Sequence, residues 1–281
     1  MVAIRLIEKP ENILILLKTK LLILFLLFTG DLFSQDLYSY ENSVKFGEHL
    51  YHTNQFEFAA REFERCVFLK PEDQFSILYL FKTYRRIGEF NKAFNISNFN
   101  KFLETEESFG SEYFKLLVQT ERYQDAAIFL LGKEYFKDEA DLKLSIFLLQ
   151  KDWKAAVLFR DENRMRIDKT LSEIVDKSLL IKKKSPVLAG IFSAIVPGSG
   201  KVYAGRWTDG LVSFLMTSSA GFVAIRGISK NKNNFYPWAM GTMSVVYYSG
   251  NIFGSAKLAK NINKNKEDEL VNQVRDFVLR D

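Results

Sequence analysis

Few residues in this chain have the type and spacing that chemistry needs. His49 and His52 stand one helical turn apart, so two imidazoles could share a face and hold a metal ion. No Cys, Asp or Glu completes a ligand set around them. Cys66 is the single cysteine, which excludes an internal disulfide. As a nucleophile it would need one of those distant histidines as its base, and it occupies a small-residue packing position. The run Gly198-Ser199-Gly200-Lys201 suggests a phosphate cradle. A Walker A loop, however, requires glycine where Ile195 stands and Ser or Thr where Val202 stands. No serine elbow and no pair of carboxylates stands out. These residues point away from an enzyme: no catalytic, cofactor-binding or metal-ligating set converges.

The chain has instead a recurring packing signature. An aromatic residue, two further residues and an alanine occur from Phe56 to Ala59, Phe90 to Ala93, Tyr123 to Ala126 and Trp153 to Ala156. The alanines are 34, 33 and 30 residues apart. Each signature follows a polar break: Asn54-Gln55, Gly88-Glu89, Glu121-Arg122 and Lys151-Asp152. Before the breaks, apolar residues fall at helical spacing, as in Ile77, Leu80, Phe81 and Tyr84. This is the physics of a helical hairpin. A small residue on the second helix admits the first, and the aromatic fills the gap beside it. One hairpin cannot bury both its faces, so neighbours must stack.

The pattern resembles the tetratricopeptide repeat over residues 38–180. The best copy runs from Tyr40 to Asp73, with Gly47 in its first helix, Ala59 and Phe63 in its second and Pro71 at its end. The second copy keeps Ala93 but has Ser97 where an aromatic is expected. The third keeps Tyr123, Ala126 and Leu130; the shortened fourth keeps Trp153 and Ala156. The resemblance implies an all-α helical-hairpin solenoid whose surface binds a protein partner. A plain α-helical domain in which the alanines merely recur is the alternative.

The first 35 residues have the layout of a secretory signal. Lys18 and Lys20 precede the apolar run Leu21 to Phe28, and small and polar residues follow. The ending Phe33-Ser34-Gln35 before Asp36 resembles signal peptides of the Bacteroidetes and places cleavage after Gln35. An uncleaved anchor over residues 13–28 is the rival, although two lysines interrupt it.

Composition shifts at Ser185-Pro186, just after the basic run Lys182 to Lys184. From Pro186 to Lys266 the only carboxylate is Asp209. Three apolar stretches appear: Val187 to Val196, Leu211 to Ile225 and Phe235 to Phe253. The last is long enough to cross a bilayer if its Tyr and Trp sit at the ends, the second is marginal alone but Trp207 and Thr208 can extend it, and the first is short. Gly250 and Gly254 form a G-x-x-x-G pair suited to close helix packing in lipid. The turn Pro197, Gly198, Gly200, Tyr203, Gly205 resembles the P-G-x-G-x-x-Y-x-G element of small bacterial membrane domains. Those domains often carry a later G-N-I-Y-G-like segment, here Gly250-Asn251-Ile252-Phe253-Gly254. The resemblance implies a Gly-rich membrane module over residues 185–263, a bundle of two to three hydrophobic helices in which Gly210 also packs and Asn251 needs a polar partner. Residues 264–281 then read as a charged amphipathic tail with Leu270, Val274, Phe277 and Val278 on one stripe, open to a surface or a partner.

The bulk numbers agree with stacked helices: 26 Phe and 12 Tyr, but five Pro. A net charge of +5 without a basic face argues against nucleic-acid binding. The expected protein is a non-catalytic scaffold or adaptor of the cell envelope, at the inner membrane with its repeats in the periplasm. Its expected partners are a protein and membrane lipid, and no cofactor or metal is expected. The rival from another class is a membrane-remodelling or transport accessory protein whose C-terminal module is the active part.

Overall fold

The computed structural model of the chain describes residues 18–23, 38–98, 103, 106–231 and 233–280. Its regular elements are all helical, and no strand occurs among the described residues. Of the expected leader, residues 18–23 are helical. The remainder of that segment, with its cleavage site, lies outside the described residues.

The chain forms two compact units, Met1–Leu103 and Glu104–Asp281. The composition shift expected as a boundary near residue 185 falls inside the second unit. The later hairpins and the hydrophobic segments belong to one unit.

The first unit contains α1 (Tyr40–His52), α2 (Phe56–Leu69), α3 (Gln74–Ile87) and α4 (Phe90–Asn98). Asp73 starts α3 by accepting a hydrogen bond from the Ser76 backbone N–H at 2.7 Å, which satisfies one of the amides a helix start leaves unpaired. Ala59, Ala60, Phe63 and Cys66 bury one face of α2. Gly47 of α1 lies against the Phe63 ring: a Cβ there would come within 3.1 Å of it. That contact needs a residue without a side chain on one helix and a large one on the other. Ser97 is buried and bonds to the Phe94 carbonyl, so the second hairpin has no ring at that position.

The second unit contains α5 (Glu107–Gln119), α6 (Tyr123–Gly132), α7 (Ala140–Leu149), α8 (Trp153–Glu162) and α9 (Lys169–Leu179). It continues through α10 (Pro186–Ile195), α11 (Ser199–Ala204), α12 (Trp207–Lys230) and α13 (Phe235–Val278). Ser185 caps α10 through the Leu188 N–H, with Pro186 in the first turn, where its missing N–H costs nothing.

The signatures occupy matching places in both units. Phe56, Phe90, Tyr123 and Trp153 each begin a helix, and Ala59, Ala93, Ala126 and Ala156 are each fully buried. Two residues before each aromatic the backbone is left-handed: Asn54, Gly88, Glu121 and Lys151 have φ of 60, 79, 59 and 60°. The next N–H reaches back five residues in all four turns, from Gln55 to Leu50, Glu89 to Tyr84, Arg122 to Leu117 and Asp152 to Phe147. This is the Schellman closure of a helix end, which pairs carbonyls otherwise left open.

Helix α13 explains why the second unit is continuous. It is 44 residues long, about 66 Å at the usual rise. It packs on α10, α11 and α12 as far as about Asn263 and also on α5, α7 and α9. The tail expected as a separate element is therefore the end of this helix. Its stripe of Leu270, Val271, Val274 and Val278 is buried within the unit rather than left open to a partner. Lys151 bonds to Asp268 at 2.6 Å, Lys183 to Glu267 at 2.6 Å and Arg275 to Glu121 at 3.2 Å along the same seam.

A hydrophobic helical module with a polar seam

The residues with chemical potential do not converge. His49 and His52 are both exposed, and His52 lies 3.8 Å from Glu48. No group of three or more His, Cys, Asp or Glu side chains able to hold a metal ion occurs among the described residues. Burial pushes the Cys66 thiol up to about 11, the opposite of what activates a nucleophile.

The C-terminal segments, by contrast, build a defined assembly. Helices α12 and α13 run antiparallel. Gly227 faces Pro237, Ala224 faces Gly241, Gly221 faces Ser244, and Thr217 meets both Ser244 and Asn251. Helix α10 also runs antiparallel to α13: Ala189 clusters with Ala259, Ser193 bonds to Ser255, and the Tyr248 hydroxyl donates to the Ala194 carbonyl at 2.5 Å. The chain then turns back. Gly200 returns to Ser193, and the Tyr203 hydroxyl returns to the Ser185 N–H at 3.1 Å. Helices α10 and α11 thus form a short hairpin whose tip reaches only the middle of α12.

Glycine makes that tip possible. Gly198 has φ of +87°, and a Cβ on it would lie 2.1 Å from the Gly210 carbonyl oxygen. Gly200 is tighter still, since a Cβ there would lie 1.8 Å from the Ala189 carbonyl oxygen. Gly198, Gly200 and Gly210 are buried, and Pro197 and Tyr203 are half-buried. Gly205, at φ of +99°, ends α11 in open space. From there Arg206 N–H reaches back to Lys201, Trp207 begins a helix, and Gly210 takes the place of the buried alanine. The turn is the one found in the four upstream hairpins, and its aromatic-x-x-small signature was not recognised in the sequence because glycine stands for alanine.

The small-residue face of α13 differs from expectation. A Cβ on Gly250 or Gly254 would meet nothing within 4 Å, so this pair makes no close helix contact. The seam runs one position later, through Asn251, Ser255 and Ala259, all buried. One residue rotates a helix face by about 100°, and it is the polar residues that point inward. Asn251 donates to Thr217 Oγ1 at 2.9 Å, Thr217 donates on to the Ser213 carbonyl at 2.9 Å, and Ser244 donates to the Thr217 carbonyl at 3.1 Å. The Ser193 and Ser255 hydroxyls lie 2.7 Å apart, and Ser193 also accepts from the Gly200 N–H at 3.1 Å. Each buried hydroxyl and amide of this seam has a partner, as a water-poor site demands.

The outer surface is the reverse. Val187, Ile191 and Ile195 on α10, Val212, Leu215, Phe222 and Ile225 on α12, and Val245, Val246 and Phe253 on α13 are all exposed. One helix among the described residues, Trp207–Lys230, is long and apolar enough to cross a membrane. Only 22% of its most apolar window is buried, so its apolar surface is not covered by this chain. From the sequence, this second stretch is expected to be marginal unless Trp207 and Thr208 extend it, as they do here. Phe235 to Phe253 is expected to be long enough if its Tyr and Trp sit at the ends. That stretch has the length, but Tyr236, Pro237, Tyr247, Tyr248, Ser249 and Asn251 leave it short of the required apolarity. Helix α10, with 10 residues, spans about 15 Å, half a hydrocarbon core.

Compared with protein-family models, curated proteins and solved structures, the chain matches none.

Proposed function

We propose that this chain is a non-catalytic adaptor of the cell envelope, anchored in the membrane by residues 185–263 and holding a protein partner on a tetratricopeptide-like solenoid. The observation that carries the reading is the polar-in, apolar-out construction of the module. A soluble helical hairpin would bury Val212, Phe222 and Val246 and expose Asn251 and Ser255. Here the polarity is inverted, which suits a lipid surround. Helix α12 crosses, α13 returns beside it with Ser244 and Asn251 sealed against α12 and Ser255 against α10, and the α10–α11 hairpin enters one leaflet.

The partner-binding half of the reading is supported by the hairpins. Their alanines and turns repeat, and the first unit exposes Phe46, Phe58 and Phe68, the last 83% exposed. Rings at a helix surface are what a peptide or protein partner covers. The junction is supported by α13, one helix that packs on both the module and the hairpins of the second unit, which would hold those hairpins at a set angle to the bilayer.

The test is alkaline carbonate extraction of membranes from cells making the full chain. Retention in the pellet agrees with the anchor, and release into the supernatant overturns it. Changing Phe58 and Phe68 to Ser should leave retention intact while abolishing the native-gel complex with the partner. A complex that survives both changes would overturn the adaptor half.

A further inference from the structure

We infer that one end of the module, where α10 begins and α11 ends beside residues 257–264 of α13, binds the headgroup phosphates of anionic phospholipids. The inference rests on the membrane reading above and goes beyond it by naming the lipid class. Three contacts put this end at one level. Lys184 exchanges two hydrogen bonds with the Asn263 side chain, at 2.8 and 2.7 Å. Ser185 donates to the Tyr203 hydroxyl, and Ala189, Ala204 and Ala259 pack together just below.

Lys184, Arg206, Lys257 and Lys260 therefore form a collar, with Lys201 one turn deeper on the hairpin. The acids nearby are already engaged: Asp209 with Arg206 at 2.9 Å, and Glu267 with Lys183 at 2.6 Å. Lys184 lies over the Tyr203 ring at 5.0 Å and Lys201 bonds to the neutral Ser213 hydroxyl at 2.6 Å. Lys257 and Lys260 are exposed. Among the described residues no carboxylate comes within ion-pair distance of these four lysines.

The collar borders the exposed apolar residues Val187, Leu188, Trp207 and Leu211. Cations at the edge of an apolar belt sit at phosphate depth, and a long stem lets Lys201 reach the same level from below. A zwitterionic lipid would cover the belt equally well. It would leave the collar uncompensated, whereas a headgroup of net negative charge neutralises it.

Trp207 reports on this end directly. Full-length protein with Trp153→Phe and Trp238→Phe, leaving Trp207 as the sole tryptophan, is reconstituted in phosphatidylcholine vesicles. These contain either brominated phosphatidylglycerol or brominated phosphatidylcholine at equal mole fraction. The expected result is a preference for phosphatidylglycerol of at least about threefold in quenching-derived affinity, below the limit set by the attraction of several lysines to an anionic surface. Lys184→Gln, Lys201→Gln, Lys257→Gln and Lys260→Gln together should erase it. About 0.5 M salt should weaken it in the protein without those four changes, where no misfolding of a variant can intervene. Equal quenching by the two lipids overturns the inference and leaves the membrane reading standing. A preference that persists in the fourfold variant also overturns it. No quenching by either lipid overturns the membrane reading itself.

Discussion

Asn251 donates a 2.9 Å hydrogen bond to the hydroxyl of Thr217, and both side chains are buried between the two long helices of the module. Thr217 passes the bond on to the Ser213 carbonyl at 2.9 Å. If the module lies in lipid, as proposed above, neither group has water as an alternative, so the pair should couple. Asn251→Ala and Thr217→Val, measured singly and together by unfolding of the reconstituted protein, should give a coupling energy of about 0.6 kcal/mol, with ~1.7 as the ceiling for such bonds. Strict additivity would contradict the pairing.

The module's glycines separate into two kinds. Gly200→Ala drives a Cβ to 1.8 Å from the Ala189 carbonyl oxygen and should cost about 3 kcal/mol or prevent assembly. Gly250→Ala and Gly254→Ala meet open space and should be neutral, or stabilising by up to about 1 kcal/mol through helix propensity. Thermal unfolding of the three variants in one detergent checks this. Equal damage at Gly250 would restore the close-packing role expected of the G-x-x-x-G pair.

Much of the hairpin region was legible because its signal is local. An aromatic that opens a helix and an alanine that must be buried lie three residues apart on one face, so Phe56 and Ala59 declare themselves. The left-handed turn residue is less legible. Gly88 announces it, but Glu121 and Lys151 adopt the same φ without being residues that favour it. The seam of α13 was misread by one position because Ser249, Gly250, Gly254, Ser255 and Ala256 offer small residues on adjacent faces. Only the partner helix decides which face is used, and Ser193 and Thr217 lie 62 and 34 residues away from Ser255 and Asn251 respectively. The fate of the tail was hidden for the same reason: its stripe was visible, the surface it covers was not.

That stripe gives a third prediction. Val274 is fully buried against the upstream helices, so Val274→Asp places an unpaired carboxylate there. The end of α13 should detach and lose hydrogen-exchange protection over residues 264–278, while residues 239–256 in the module keep theirs. Unchanged protection of the tail would show that its docking does not depend on this stripe.

Cys66 should behave as a packed, inert thiol. Burial first, and the nearby Glu62 charge second, push it up to about 11, so roughly one part in a thousand is thiolate at pH 8. A raised value favours the protonated thiol in the folded state. That contribution is complete below the thiol's unfolded value and is lost as pH rises through about 11. Iodoacetamide at pH 8 should label the native protein slowly and the denatured protein fast. Rapid native labelling would contradict the burial.

Spin-label accessibility reads the inverted polarity of the module. On a Cys66→Ala background, single nitroxides replace Phe222, Val245 or Leu158, which are 62, 66 and 66% exposed. In reconstituted bilayers positions 222 and 245 should collide with oxygen and exclude a polar nickel chelate, with the opposite at 158. Nickel access at 222 and 245 equal to that at 158 would contradict it.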